Sequence, residues 1–293
     1  MDPADDKSRL NTRHVRRRFD RAAAGFDDAD FVHKVTRENL LERLQPVVVE
    51  AGTVVDLGSA TGSSTAPLSK RFRKARIVSL DISHAMLVAG RNKQGWFSRA
   101  AAVQADARRL PFADRSIDVV FANMLLPWID DPLPLFVEVA RVLRKGGLFS
   151  FATLGPDSLS ILRRAWETAA PGSQHVNRFS DMHDVGDSLV SAGLVDPVLD
   201  VDRLTLSYSS ADNLFRDLTA AGGRNSLAAR EKSLLGKHRY QSMRSALCDL
   251  QADDKINVEM ELVYGHCWGS GQSRLRGEFR IDAAQIAHRN TIQ

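Results

Sequence analysis

Five short apolar runs, at residues 53–57, 75–80, 101–104, 117–122 and 148–153, are each bounded by a turn and set apart by helix-like segments. That alternation leaves little choice of architecture. Strand, helix and strand joined in one sheet form a right-handed parallel crossover, and repeating the unit covers both faces of the sheet with helices. The chain is therefore expected to be α/β, with a doubly wound Rossmann-like sheet. Its ligand should sit beyond the carboxyl ends of the strands, where the strand order reverses. The pair Gly146-Gly147 is expected to end the helix that precedes the fifth run.

The flanks read differently. Phe19, Ala22, Ala23 and Phe26 recur at helical spacing, as do Phe31, Val35, Leu40 and Leu44, and Pro46 closes this second helix. Beyond residue 153, helices are expected at 156–170 and 182–192, a strand at 199–208, mostly helix at 211–250, and a late strand at 256–266. The implied division is N-terminal helices over residues 1–46, covering the ligand site, and one catalytic domain over 47–293. A helical cap is then inserted among the late strands, in segments of about 155–180 and 209–250.

The loop after the first run carries the clearest chemistry. In Val54-Val55-Asp56-Leu57-Gly58-Ser59-Ala60-Thr61-Gly62, a buried strand enters a small-residue turn and then a helix. Gly58 and Gly62 let the backbone turn tightly and approach a ligand closely. Their spacing is not the G-x-G-x-x-G of dinucleotide sites, and Asp56 ahead of the loop repels a pyrophosphate. The same carboxylate attracts the cationic amino and sulfonium groups of S-adenosyl-L-methionine. Asp81 ends the second run, where an acid can accept both ribose hydroxyls. Asp106 follows the third and is placed for the adenine amino group, with Ile82, Met86 and Ala107 as apolar walls. Each aspartate alone is an ordinary helix cap; three at successive strand ends read as a set. Asn123, with Ser59, completes the expected cofactor-binding group. The segment Asn123-Met124-Leu125-Leu126 lacks the Asn-Pro-Pro-aromatic motif of methyltransferases that act on base amino groups.

With the flanking segments included, the chain resembles the malonyl-acyl-carrier-protein O-methyltransferases of biotin synthesis, which are class I S-adenosylmethionine-dependent methyltransferases. The resemblance rests on Arg17-Arg18-Phe19-Asp20-Arg21-Ala22-Ala23, Leu110-Pro111-Phe112, the stretch from Asn123 to Asp131, and Phe151-Ala152-Thr153-Leu154-Gly155-Pro156-Asp157-Ser158-Leu159. Phe179-Ser180-Asp181-Met182-His183-Asp184-Val185-Gly186-Asp187 and Tyr264-Gly265-His266-Cys267-Trp268-Gly269 complete it. The chain departs from the family at Ser59-Ala60, where Cys-Gly or Ala-Gly is usual, and at Phe26, where tyrosine is frequent. The resemblance implies methyl transfer to the free carboxylate of a malonyl thioester. That carboxylate, with an ordinary pKa of about 4, is ionised near neutrality, so no general base is required. Trp128, His175, Arg178, His183, Tyr208, Arg224 and Asn225 are the candidates for orienting it. A related group of complex I assembly factors, linked to arginine hydroxylation on a protein, is the alternative, along with nucleic-acid or other small-molecule methyltransferases.

An acyl carrier protein is acidic, and the chain leans basic, with a net charge of +4 and a pI near 9.2. Arg13, Arg16, Arg17 and Arg18 form one candidate patch, and Arg224, Arg230, Lys232, Lys237 and Arg239 another. No basic run interleaved with aromatics points to nucleic acid. No apolar stretch approaches the roughly 18 residues of a membrane span. Asp2, Asp5 and Asp6 open the chain without an apolar segment, so no secretory signal is expected. Cys248 and Cys267 lack zinc-site spacing and read as reduced thiols of a cytoplasmic protein.

Overall fold

The computed structural model describes residues 9–93, 100–228 and 236–271. Its centre is set by period-two burial. On β4 (Ile117–Asn123), Val119 and Phe121 face one side of the sheet while Val120 and Ala122 face the other, and all four are buried. β1 (Thr53–Leu57) divides in the same way, with Val54 opposite Val55 and Leu57. Strands covered on both faces need apolar residues at every position, which is why these runs show no polar alternation.

With β2 (Arg76–Asp81), β3 (Ala101–Gln104), β5 (Leu143–Leu154), β6 (Leu194–Tyr208) and β7 (Ile256–Gly269), the sheet runs β3-β2-β1-β4-β5-β7-β6. The first five strands are parallel; β7 lies antiparallel to β5, and β6 antiparallel to β7. The order reverses between β1 and β4, so the crevice opens at the ends of those two strands.

Nine helices are described: α1 (Thr12–Ala22), α2 (Phe31–Arg43), α3 (Thr65–Arg71), α4 (His84–Lys93), α5 (Leu133–Val142), α6 (Ser160–Ala169), α7 (Met182–Ser191), α8 (Ala211–Ala220) and α9 (Lys237–Asp249). One face of the sheet is covered by α2, α3, α6 and α9 through Leu40, Leu68, Leu162 and Leu247, and the other by α5 and α7 through Phe136 and Leu189. Each such fully buried side chain contributes roughly 1.5–3 kcal/mol.

Two local expectations are corrected. Gly146-Gly147 does not end a helix: α5 stops at Val142 and the pair lies inside β5, at a bulge where the register against β4 shifts. Gly146 takes φ 71 there. The late strands also run longer than their alternation suggested, β6 starting at Leu194 and β7 reaching Gly269. Within 211–250 the helices are α8 and α9. Arg230 and Lys232 lie outside the described residues.

The N-terminal segment is tied to a distant part of the chain. Leu10 pairs with Leu227 in an antiparallel bridge, Asn11 N donates to Ser226 O (2.9 Å), and Ala228 N donates to Arg9 O (2.7 Å). Asn11 then caps α1 by accepting from His14 N.

Candidate active site

At the end of β1 the chain turns through Gly58 (φ 73) and Gly62 (φ 75). A Cβ on Gly58 would stand 3.0 Å from Leu125 Cδ1 in a backbone conformation that side chains rarely adopt. Ala60, between them, is also left-handed (φ 46) although it carries a Cβ, at a cost of roughly 1–2 kcal/mol. The loop is stitched to β2. Gly58 N and Ser59 N donate to Leu80 O, and Ala60 N donates to Asp81 Oδ2 (2.9 Å). Ser83 N donates to the other oxygen, Asp81 Oδ1 (2.7 Å).

Asp56 is 1% exposed and its Oδ2 has no hydrogen-bond partner. Burial, reinforced by the neighbouring Asp81 carboxylate and opposed by Arg37, raises its pKa to about 7. Asp81 is raised as well, by burial first, although the N–H groups of Ser83 and Ala60 pull it down. A third acid, Asp20 of α1, accepts Ser83 Oγ (2.6 Å) and adds its charge to Asp81. Ser59 Oγ, Asn123 Oδ1 and His33 Nδ1 are likewise buried without partners. Unpaired buried polar atoms each cost about 1–3 kcal/mol, and a cluster of them at strand ends marks a place where a polar ligand completes the bonding.

Two cavities adjoin there. The smaller, about 70 Å³, is lined by Gly58, Asp81, Ile82, Asp106, Ala107 and Asn123, all anticipated, together with Phe19, Phe26 and Arg108. Met86 does not reach it. It is fully buried against Ala23 and Phe26, as a floor beneath the N-terminal elements. Asp56, Ser59 and Gly62 stand in or behind the loop rather than on the cavity wall. Asp106 holds Arg108, through its backbone N–H and a guanidinium contact at 2.7 Å, and these hydrogen bonds keep its carboxyl below the usual range.

The larger cavity, about 840 Å³, is lined by Trp128, His175, Tyr208, Arg224 and Asn225, drawn from four separate segments. Arg178 and His183 are exposed and outside it. The pairing of residues 9–11 with 226–228 brings Arg17 and Arg21 to the same cavity as Arg224, with no ion-pair partner for any of the three among the described residues. Arg18 serves the fold, donating through Nη2 to Asn225 O (2.5 Å). Sequence reasoning missed His33 and Met124. Met124 stood inside a quoted segment without being given a role and His33 in no motif, and both matter because α2 is laid across the end of β4, where Asn123 Nδ2 donates to His33 O (2.9 Å).

The sequence pattern described as "Methyltransferase domain" matches residues 55–151. The malonyl-[acyl-carrier protein] O-methyltransferase of Halorhodospira halophila is 40% identical, over 99% of this chain and 99% of that protein. The chain belongs to the malonyl-[acyl-carrier protein] O-methyltransferase family. The family's member from Laribacter hongkongensis is 40% identical over 90% of this chain and 89% of its own. Among solved structures, YcgJ protein from Bacillus subtilis aligns with a TM-score of 0.58 at 14% identity, covering 80% of this chain and 98% of that one. A SAM-dependent methyltransferase from Thermotoga maritima aligns at 0.51 and 17%, covering 87% and 99%. At these identities the two solved structures speak for the fold alone. The Rossmann-like sheet expected from the strand pattern, and the class I methyltransferase architecture implied by the resemblance, are those observed. No described helix is long and apolar enough to cross a membrane.

Proposed function

We propose that this protein transfers a methyl group from S-adenosylmethionine to the free carboxylate of a malonyl group carried on acyl carrier protein, an early step of biotin synthesis. Family membership along the whole chain carries this reading, and the site chemistry supports it. When bound, S-adenosylmethionine supplies a methyl group on a cationic sulfur. Asp56 and Asp81 give the small cavity a negative field suited to a cation and hostile to a pyrophosphate. Asp81 retains lone pairs for ribose hydroxyls, Asp106 would take the adenine end, and Ile82 and Ala107, also on the lining, would wall the ring. Asp56 Oδ2, Ser59 Oγ and Asn123 Oδ1 are the atoms with unused bonding capacity for the amino and carboxyl groups.

The acceptor needs no base, because a malonyl carboxylate is already ionised. The chain's task is to exclude water and align, in a chamber whose apolar lining includes Trp128, Leu206, Phe215 and Met260. Arg17, Arg21 and Arg224 stand on the chamber's lining as groups for an acidic carrier protein and its phosphopantetheine arm. Nucleic acid is not the partner in this reading.

The deciding experiment offers the purified protein malonyl-[acyl-carrier protein] and, separately, an arginine-containing partner protein, with mass spectrometry as readout. A gain of one methyl on the malonyl group is expected. Oxygen added to arginine, with no methyl ester, would move the protein to the assembly-factor reading.

A further inference from the structure

The two cavities share three lining residues: His33, Met124 and Trp128. Any group passing from a molecule in the smaller cavity to one in the larger must pass between them. Met124 brings a thioether, which donates no hydrogen bond, on a backbone held in the left-handed region at φ 60. Strain of that kind at a strand end is kept where a site depends on it. Trp128 packs edge-to-face on Phe19, with centroids 5.0 Å apart. His33 alone of the three carries a buried polar side-chain atom, Nδ1, that has no partner.

Everything around His33 fixes it. Its carbonyl accepts from Asn123 Nδ2 (2.9 Å) and from Thr36 Oγ1 (3.1 Å), which pins the first turn of α2 to the end of β4. Its ring lies 5.1 Å from that of Phe26. Asp30 and Arg37 act on it with opposite signs and are themselves ion-paired at 3.3 Å, so little net charge is left to bias the imidazole. Burial lowers its pKa to about 4, so it is a neutral ring near pH 7, with one N–H to donate.

We propose that His33 is the substrate-positioning residue of this site: it donates a hydrogen bond to one oxygen of the acceptor carboxylate at the neck and leaves the other oxygen aimed at the methyl group. This rests on the methyl-transfer reading above. A neutral donor suits the task better than an arginine. A bidentate guanidinium grip would engage both oxygens through two parallel charge-assisted hydrogen bonds and withdraw charge from each, whereas one imidazole N–H engages a single oxygen. The transfer forms a C–O bond from a carboxylate lone pair while the C–S bond breaks toward sulfur. No proton moves, so His33 keeps its own throughout and acts by placement.

The test uses His33→Phe, which keeps a ring and removes the donor, and His33→Gln, which restores an N–H. With malonyl-pantetheine as acceptor, the phenylalanine variant should lower kcat by roughly tenfold to a hundredfold, the range for one hydrogen bond to a charged group. His33→Gln should recover most of that loss. S-adenosylhomocysteine affinity, measured by calorimetry, should stay within about twofold, since the phenylalanine ring still fills the wall that His33 gives the smaller cavity. In the wild-type protein, the His33 imidazole nitrogen resonances should move when malonyl-pantetheine is added and stay put with its methyl ester, which has no free carboxylate. A wild-type kcat in His33→Phe, a parallel loss of S-adenosylhomocysteine affinity, or unmoved resonances would each overturn the assignment. Failure of the methyl-transfer reading looks different: the wild-type protein itself would then yield no methyl ester.

Discussion

The two cavities that meet at His33, Met124 and Trp128 are built on opposite plans. The smaller one lies at the ends of three parallel strands, beneath Phe19 and Phe26, and its Asp81 is locked by main-chain N–H groups within 21 residues of sequence. It is small, and several of its buried polar atoms are left unpaired. The larger is assembled from α1, the turn after β4, the segment after α6, the end of β6 and the turn after α8. Its polar groups are mostly side chains, three of them arginines without ion-pair partners among the described residues. A rigid backbone site of this kind recognises a constant molecule at some expense of stability. A chamber of side chains from distant parts of the sequence leaves room for a bulky, tethered substrate. The contrast suits an enzyme that holds a compact methyl donor beside a larger acceptor.

The largest effect that tests this contrast lies on the donor side. Because the folded chain holds Asp56 at about 7 and its ordinary value is 3.8, the folded chain keeps between those values a proton that the unfolded chain has released. Stability contributed by this group is therefore full below pH 4 and falls as pH rises to about 7. Asp56→Asn should accordingly raise the melting temperature of the ligand-free protein at pH 8, by roughly 2–4 °C for every kcal/mol relieved. The same change should weaken S-adenosylmethionine binding by about tenfold or more, through loss of a charged partner. Wild-type affinity should likewise decline below pH 7, as the carboxylate takes up its proton. Calorimetry and thermal melts at pH 6 and 8 check both. A variant that loses binding without gaining stability would mean that the small cavity is not under electrostatic tension, and the contrast would fail.

On the acceptor side the expected effect is smaller and depends on salt. Arg17→Glu combined with Arg224→Glu should slow methylation of the carrier-linked substrate by roughly tenfold at low ionic strength. Turnover of malonyl-pantetheine should stay near wild type. The difference should shrink at 0.15 M salt, where screening acts over about 8 Å. Steady-state rates on the two substrates across a salt series measure it. Equal losses on both would place these arginines inside the chemistry and not at its entrance.

The smallest expected effect concerns Ala60, whose methyl group occupies a left-handed position on the wall of the small cavity. Ala60→Gly should relieve about 1 kcal/mol of backbone strain, part of which is lost again to the greater freedom of glycine in the unfolded chain. A rise of about 1–2 °C in the melting temperature is the net expectation. A fall would show that the loop gains from alanine's restriction more than it loses to strain.

The donor side was legible in the sequence because its logic is local. An apolar run with no polar alternation is a strand buried on both faces, and an acid at the carboxyl end of such a sheet stands near the crevice. Asp81 and Asp106 line the small cavity, while Asp56, inside β1, stands behind its loop. Met86, expected as an apolar wall of the ring site, instead lies buried against Ala23 and Phe26, off the cavity lining. Gly146-Gly147 was misread because paired glycines serve a β-bulge as well as a helix end, and only the pairing of β5 with β4 distinguishes the two. Arg178 and His183, named with His175 as orienting candidates, are exposed and lie outside the cavity that His175 lines.

The sequence by itself determined the sheet, its switch point and the acids at its strand ends, since hydrophobic period and turn chemistry act over a few residues. Only the tertiary structure decided the rest. The bridge between Leu10 and Leu227 spans most of the chain, and it is what brings Arg17 and Arg224 to one cavity. His33 gains its position from Asn123, 90 residues away. No local pattern records such pairings, because the free energy that fixes them comes from burial and hydrogen bonds made only after the chain has closed on itself.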